Sequence, residues 1–139
     1  MAPDVWRLIL SPPMTGPDNM ALDEALLESA GRGQGFPTLR LYAWDPPCLS
    51  IGYAQPFSQV DRSALRRRNW DLVRRPTGGR AILHTDELTY AVVAADQGPV
   101  FAGGVLASYR RLSAGLALGV GSLGLAVQVQ PGTRSGAPT

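Results

Sequence analysis

Arg74-Arg75-Pro76-Thr77-Gly78-Gly79-Arg80-Ala81-Ile82-Leu83-His84 is the stretch that decides how the rest of this sequence is interpreted. Residues 70–73 before the glycines and 81–83 after them are typical of β-strands. Paired glycines allow positive φ and let the backbone approach a ligand closely. Arginines suit carboxylate or phosphate groups, and oriented N–H groups in a turn can bind an anion. The pattern leaves two interpretations open: a ligand-binding loop, or a tight hairpin turn whose arginines face water.

The composition is that of one domain, or part of one, with a core of ordinary size. The chain has 139 residues, of which 45% are hydrophobic, and a net charge of +2. All thirteen basic residues are arginines, so chemistry that needs a lysine of this chain is excluded. The net charge does not by itself indicate a nucleic-acid partner, and we expect none.

Cysteine and histidine each occur once, which restricts the kinds of site that the chain can build. The single Cys48 excludes an internal disulfide, and the single His84 excludes a multi-histidine metal site, so no metal is expected. The N-terminus has no signal-peptide pattern, and the longest apolar run, 114–127, is interrupted by four glycines. We therefore expect a cytoplasmic protein without a membrane segment. Residues 130–139 have no apolar pattern and are expected to be disordered.

Hydrophobic periodicity and turn residues predict a series of strands and helices. The predicted strands cover 5–10, 38–44, 48–53, 70–73, 81–83, 87–94 and 123–129, and the predicted helices cover 17–30, 61–69 and 104–119. Strands 38–44 and 48–53 are expected to pair as a hairpin across Asp45-Pro46-Pro47, and strand 87–94 to be central in a sheet. The last helix should bury a stripe formed by Val105, Tyr109, Leu112 and Leu116.

Several polar residues allow both a functional and a structural interpretation. Asp23 and Glu24 are either catalytic carboxylates or early-helix acids that complement the dipole, and the second is favoured. Cys48 is a nucleophile or, as we favour, a small buried hydrophobe. The seven arginines from Arg62 to Arg80 create a positive field that could attract an acidic carrier protein. RNA is a weaker interpretation because the segment lacks aromatic residues for stacking bases.

The opening stretch, with Glu87-Leu88-Thr89-Tyr90 behind it, resembles the signature of the lipoate-protein ligase A / biotin protein ligase superfamily. The resemblance is closest to its octanoyltransferase branch. That branch carries an arginine, here Arg80, where lipoate ligases usually carry a third glycine. Segments 19–27, 39–44, 50–53 and 109–113 also fit, so the resemblance extends to about residue 127. It implies an α+β fold with a mixed, mostly antiparallel sheet and helices packed on it. Residues 1–129 would form the N-terminal part of such a catalytic domain.

The resemblance also implies an activity. Octanoyltransferases of this branch take an octanoyl group from acyl carrier protein, hold it on a cysteine, and pass it to a lysine of a lipoyl domain. The acceptors would be the lipoyl domains of 2-oxoacid dehydrogenase complexes or the glycine cleavage H protein. Lipoate ligases instead use lipoate and ATP. In neither case is a covalently bound cofactor expected.

The same resemblance assigns roles to the residues of the glycine loop. Arg75 would contact a phosphate or position the loop, and Gly78 and Gly79 would permit close approach. Arg80, Ala81, Ile82 and Leu83 would form the wall of the acyl pocket, and His84 would lie at its edge. Whether His84 is a general base or a structural histidine is left open.

The chain departs from the family in lacking both the lysine and the nucleophilic cysteine that members carry in a second half. No catalytic residue is therefore assigned, and we expect the N-terminal half of such an enzyme, working with a missing C-terminal half. Two alternatives remain: a fragment of an ATP-dependent lipoate ligase, or a non-catalytic module that binds an acyl group or a carrier protein. Biotin transfer fits the loop sequence less well.

Overall fold

The computed structural model describes residues 5–96 and 98–129, and it shows the α+β fold that the sequence predicts. Its contacts divide it into two units, one up to Ala95 and one from Asp96 onward. The first unit contains six strands and two helices, and the second contains one helix. In chain order the elements are β1 Arg7–Leu10, α1 Gly16–Gly31, β2 Thr38–Tyr42, β3 Cys48–Ile51, α2 Arg62–Arg67, β4 Asp71–Arg74, β5 Ile82–His84, β6 Thr89–Val93 and α3 Gly104–Gly121.

The first two helices begin where local sequence signals place them. Thr15 caps α1: its hydroxyl accepts a hydrogen bond from the backbone N–H of Asp18 at 3.2 Å, and Pro17 occupies the first turn. Asp61 caps α2 by accepting from the backbone N–H of Ala64 at 2.9 Å. These caps satisfy N–H groups that a helix leaves without partners, and the predicted starts of both helices are confirmed.

One sheet has the strand order β1-β2-β6, with β1 parallel and β6 antiparallel to β2. The central strand is thus β2, whose residues alternate between buried and half-buried positions. The prediction that the strand at 87–94 is central was wrong, because β6 lies at the edge among the described strands. Its apolar residues are half-exposed on both faces, so an apolar pattern on both faces does not indicate a central strand here.

The other sheet has the order β4-β3-β5, with β4 parallel and β5 antiparallel to β3. The predicted hairpin between 38–44 and 48–53 was wrong, because β2 and β3 belong to different sheets. The prolines after Trp44 lead the chain from one sheet to the other instead of reversing it. The sheets are mixed, as predicted, but each contains one pairing of each kind, so antiparallel pairs do not predominate among the described strands.

The core of the first unit lies between α1 and the two sheets. It consists of Met20, Tyr42, Trp44, Cys48 and Val73, all at most 8% exposed. Each large apolar side chain buried in this way stabilises the fold by roughly 1.5–3 kcal/mol. The cluster draws one residue each from α1, β2, β3 and β4, and Trp44 from just after β2, so it joins the two sheets.

Helix α3 forms over the predicted residues, but its predicted stripe is not a core. Val105 is 90% exposed and Tyr109 58%, whereas the one buried residue of α3 is Ser108. The predicted strand at 123–129 was wrong: those residues are irregular, since a strand needs a ladder partner and they pair with none of the described residues. The expected disordered tail, 130–139, lies outside the described residues. Among the described helices, none is long and apolar enough to cross a membrane.

Candidate functional site

The glycine loop crosses the end of β3. Strands β4 and β5 flank β3 on opposite sides, and both the last residue of β4 and the first of β5 are at the end where β3 finishes. Residues 75–81 must therefore pass over that end, and the hairpin interpretation is wrong. Gly52 follows β3 at this point, and a Cβ atom built on it would overlap the carbonyl oxygen of Gly79. The absence of a side chain at Gly52 is thus what allows the loop to take this path.

The two loop glycines differ in their φ angle and in the space around them. Gly79 has φ of +90°, in the region that residues with a side chain rarely adopt. Gly78 has no positive φ, and a Cβ atom at that position would meet nothing within 4 Å. The backbone conformation therefore requires glycine at 79 but not at 78, and the close approach of a ligand to both stays a prediction.

Arg75 fixes the loop from inside. One guanidinium nitrogen donates to the carbonyl oxygen and the hydroxyl of Ser50, at 2.9 and 2.7 Å. The other donates to the carbonyl oxygens of Gly78 and Arg80, at 3.0 and 2.9 Å. Burial lowers the pKa of Arg75 from its ordinary value, although the group stays charged. These contacts are of the kind that positions the loop, one of the two roles that the resemblance implies for Arg75; contact with a phosphate stays a prediction.

The outer surface of the loop offers both donors and apolar groups. Residues 77–83 are exposed, with Ile82 and Leu83 at 47% and 43%. Within the described part of the chain, the backbone N–H groups of 77–80 donate no hydrogen bond, and Arg80 forms no ion pair. Free N–H groups beside apolar side chains can hold an oxygen-bearing head group and the start of an acyl chain.

Beneath the loop, a hydrogen-bond chain links the buried Ser50 and His84 to the exposed Glu87. The Ser50 hydroxyl is 2.6 Å from Nε2 of His84, and Nδ1 of His84 is 2.5 Å from a Glu87 carboxylate oxygen. Ser50 is fully buried and His84 is 4% exposed. Because both ring nitrogens are engaged within the protein, these contacts favour the structural interpretation of His84 over the general base.

Trp44 and Thr89 extend this chain. The indole of Trp44 stacks on His84 at 4.1 Å with 12° between the planes, and its N–H donates to the Thr89 hydroxyl at 2.7 Å. Thr89 in turn donates to Glu87 at 2.9 Å. Burial raises the pKa of Glu87, but hydrogen bonds from His84 and Thr89 outweigh it, so the net shift is downward.

Sequence reasoning assigned no role to four members of this network: Trp44, Ser50, Glu87 and Thr89. A period-two argument could have paired Thr89 with Glu87, since residues two apart in a strand share a face. The contacts of Ser50 and Trp44 with His84 had no local signal, because they join residues 34 and 40 positions apart. Both residues lie in segments that match the family, 50–53 and 39–44, and the match gives neither a role.

The other candidate residues have structural surroundings. Asp23 is buried and forms an ion pair with Arg40 at 2.7 Å, so neither interpretation from the sequence described it; Glu24 is exposed. Cys48 is fully buried, and burial, together with the nearby charge of Asp71, raises its pKa to about 12. The interpretation of Cys48 as a small buried hydrophobe is confirmed. The described residues contain no group of three or more potential metal ligands.

Comparisons with known proteins place this site in a family context. The family model described as the lipoyl protein ligase A/B catalytic domain matches residues 15–137. An octanoyltransferase LipM of Moorella thermoacetica is 46% identical over 140 residues, covering 98% of this chain and 50% of the relative. The same enzyme of Kyrpidia tusciae is 50% identical over 120 residues, covering 86% and 44%. The chain thus spans about half the length of the curated relatives it matches.

Solved structures agree with the sequence relatives. A lipoate-protein ligase A bound with ATP superimposes with a TM-score of 0.73 and 26% identity, over 96% of this chain and 53% of the other. A bipartite lipoate protein ligase from Thermoplasma acidophilum gives a TM-score of 0.68 and 29% identity, over 91% and 48%. Family model, relatives and structures coincide over nearly the whole chain, and they show that it belongs to the lipoyl protein ligase A/B catalytic-domain family.

Proposed function

We propose that this chain supplies the acyl-binding part of an octanoyltransferase that modifies lysines of lipoyl domains. The observation that carries the proposal is the loop held over the end of β3 by Arg75, with free N–H groups at 77–80 and exposed Ile82 and Leu83. It occurs in a chain that is 46–50% identical to octanoyltransferases. Identity to the lipoate ligases is lower, at 26–29%.

Each loop residue has a role in this proposal. Gly78 and Gly79 leave room for the head of the acyl group, whose carbonyl oxygen accepts from the free N–H groups. Arg75 keeps those groups in place. Arg80 supplies a positive charge, and Ala81, Ile82 and Leu83 lie along the acyl chain, where each buried CH₂ contributes about 0.8 kcal/mol. His84 holds the base of the loop.

The nucleophile and the activating lysine must come from elsewhere. The chain contains no lysine, and Cys48 is buried with its pKa raised to about 12, so its thiolate is scarce. We propose that a polypeptide segment equivalent to the other half of the relatives supplies both groups. Exposed apolar residues of the first unit, such as Leu8 at 58% and Leu10 at 69%, give such a segment surface to cover.

The donor in this proposal is octanoyl-acyl carrier protein. The acceptors are the lipoyl domains of 2-oxoacid dehydrogenase complexes or the glycine cleavage H protein. The matched bipartite ligase is described together with its E2 lipoyl domain, which supports an acceptor of this kind. We propose the cytoplasm as the location, since an unpaired thiol suits a reducing compartment.

A second candidate is a part of an ATP-dependent lipoate ligase. The structural match to a ligase bound with ATP favours it, because that protein shares the fold over 96% of this chain. A module that binds the acyl group without transferring it is a third. The three candidates differ in the acyl donor and in whether the acyl group is transferred, so one assay can distinguish them.

The assay measures the mass of a purified lipoyl domain after incubation with the chain, alone and joined to the second half of the Moorella relative. One arm supplies octanoyl-acyl carrier protein, and the other lipoate with ATP. We expect the mass of one octanoyl group to be added, only with the joined protein and only from the carrier protein. Ile82→Asp should abolish the transfer, whereas Leu27→Asp, an equally exposed leucine on α1, should not. Transfer in the ATP arm alone, or in neither arm, would refute the proposal.

A further inference from the structure

A surface pocket of about 460 Å³ lies beside α2, between the 3-10 turn Phe57–Gln59 and β4. Its deepest residue is Leu65, which is 9% exposed, and two arginines of α2 are exposed at its edge. We call it the α2 pocket, and it is lined by Phe57, Arg62, Leu65, Arg66, Trp70 and Leu72. An apolar base with cations at the edge suits an occupant that is apolar in the middle and anionic around it.

The surroundings of the pocket carry an uncompensated positive charge. Residues 57–80 contain seven arginines and two aspartates, and none of these arginines forms an ion pair with the described residues. The two aspartates, Asp61 at the cap of α2 and Asp71 at the backbone N–H of Gly16, offset only part of this charge, and the stretch keeps a net charge of +5. This concentration of positive charge attracts acidic partners over the distance of a Debye length.

Two of the arginines are free to contact a partner at the pocket itself. Arg74 is committed to the carbonyl oxygens of 52, 53 and 55, at 2.6–2.9 Å, and Arg75 to the glycine loop. By contrast, Arg62 is exposed, and Arg66 contacts only the hydroxyl of Ser63, at 3.3 Å. They are four residues apart, so they project from the same face of α2 and can hold two carboxylates of one partner.

The pocket adjoins the glycine loop through a short series of contacts. The guanidinium of Arg74 lies 4.6 Å from the centre of the Phe57 ring, at the wall of the pocket. The same guanidinium donates to the carbonyl oxygen of Gly52 at 2.9 Å, and Gly52 packs directly beneath Gly79. A partner seated on the α2 pocket would therefore be next to the loop that we propose binds the acyl group.

We propose that the α2 pocket is the docking surface for the acidic carrier protein that delivers the acyl group; this inference rests on the proposed function. Carboxylates of the carrier pair with Arg62 and Arg66, and an apolar side chain between them enters the pocket over Leu65.

The test measures the affinity of octanoyl-acyl carrier protein for the chain joined to the second half of its relative, at several salt concentrations. Arg66→Glu is compared with Arg67→Glu, an exposed neighbour on α2 that does not line the pocket and changes the net charge equally. We expect Arg66→Glu to weaken binding about tenfold or more and to flatten its salt dependence, and Arg67→Glu to change it less than about twofold. Phe57→Ser should weaken binding without changing the salt dependence.

Equal weakening by Arg66→Glu and Arg67→Glu would show a diffuse field instead of a docking site and would overturn the proposal. Unchanged affinity in both variants would also overturn it. A further contrary result would be that the carrier protein does not bind, while anionic phospholipid vesicles bind the protein and Arg66→Glu abolishes that binding. The proposed function fails separately. If octanoyl transfer proceeds and Arg66→Glu leaves affinity unchanged, only the docking surface is refuted. If the carrier binds through Arg66 and no octanoyl group is transferred, only the proposed function is refuted.

Discussion

The hydroxyl of Ser50, 2.6 Å from Nε2 of His84, connects the glycine loop to the histidine ring. Its oxygen also accepts from Arg75 at 2.7 Å, and an arginine can only donate. At the other end, Nδ1 of His84 faces the Glu87 carboxylate, which can only accept, so neutral His84 has an unprotonated Nε2 that accepts the hydroxyl proton of Ser50. His84 then carries its proton on Nδ1 and donates it to Glu87 at 2.5 Å. Arg75, which only donates, and the Glu87 carboxylate, which only accepts, thus set the direction of the hydrogen bonds between them when His84 is neutral.

We predict that neutral His84 is the Nδ1–H tautomer. It is the only histidine of the chain, so its imidazole nitrogens can be observed by ¹⁵N NMR without assignment by mutation. The expected spectrum at mildly alkaline pH has a protonated, slowly exchanging Nδ1 and an unprotonated Nε2. Ser50→Ala should keep this tautomer, because the Glu87 carboxylate still accepts from Nδ1. A wild-type protein with its proton on Nε2 would contradict the deduced direction of the hydrogen bonds.

The glycines of the loop should differ in their tolerance of alanine. Gly79→Ala places a side chain at a φ of +90° and should lower the free energy of unfolding by about 1–2 kcal/mol. Gly52→Ala should lower it at least as much, because the new Cβ overlaps the carbonyl oxygen of Gly79. Gly78→Ala meets open space and should change it by less than about 0.5 kcal/mol. Urea unfolding measures all three, and equal losses at Gly78 and Gly79 would be the unexpected result.

Local signals explain which parts of this fold could be predicted from sequence. The cap residues Thr15 and Asp61 lie within three positions of the N–H groups that they satisfy, so the starts of α1 and α2 were readable. The candidate loop was found in the same way, from adjacent glycines and arginines. The order of the strands around the loop could not be predicted. The position of β3 between β4 and β5 depends on contacts between residues more than twenty positions apart.

Charged residues in the core were missed for the same reason. Arg40 occupies a position on β2 that alternation assigns to an interior face, and its burial becomes favourable only through Asn19 and Asp23 on α1. Nothing in the sequence around Arg40 indicates those partners. The apolar stripe of α3 shows the opposite case: the periodicity correctly predicted a helix, but periodicity cannot state whether a covering surface is present in the same chain.

Removing one partner of the buried pair should destabilise the first unit strongly. Arg40 is fully buried and donates to Asp23 at 2.7 Å and to the side chain of Asn19 at 2.5 Å. Arg40→Met leaves the Asp23 carboxylate without its cation and should lower the free energy of unfolding by about 3–5 kcal/mol. Replacing both charges, with Arg40→Met and Asp23→Leu, should restore part of that loss. A double variant less stable than Arg40→Met would argue against this explanation.

The lowered pKa of Glu87 predicts a pH-dependent contribution to stability. Burial raises the pKa, but the hydrogen bonds from His84 and Thr89 bring it below its ordinary value of 4.5. A carboxylate with a lower pKa in the folded state stabilises the fold fully above the unfolded-state value, and this is lost as the pH falls through the folded-state value. Glu87→Gln should therefore be less stable than wild type at neutral pH, with a difference that shrinks below about pH 4.5.

Glu24→Gln serves as the control for that measurement, because Glu24 is exposed and makes no hydrogen bond to the described residues. Urea unfolding of the three proteins between neutral and acidic pH should show a constant, near-zero difference for Glu24→Gln. A Glu87→Gln difference that grows as the pH falls would reverse the sign of the linkage and refute the assigned hydrogen bonds.

Cys48 should be chemically inert in the folded protein. Burial and the charge of Asp71 raise its pKa from 9.0 to about 12, so the thiolate fraction at neutral pH falls about a thousandfold. We expect iodoacetamide to modify native Cys48 at least about a hundredfold more slowly than a single exposed cysteine placed by Ser122→Cys in a Cys48→Ala background. In urea the two rates should become similar, because unfolding exposes the single thiol of each protein to solvent. Equal rates in the native state would show that the thiol is accessible and would return Cys48 to consideration as the acyl-carrying nucleophile.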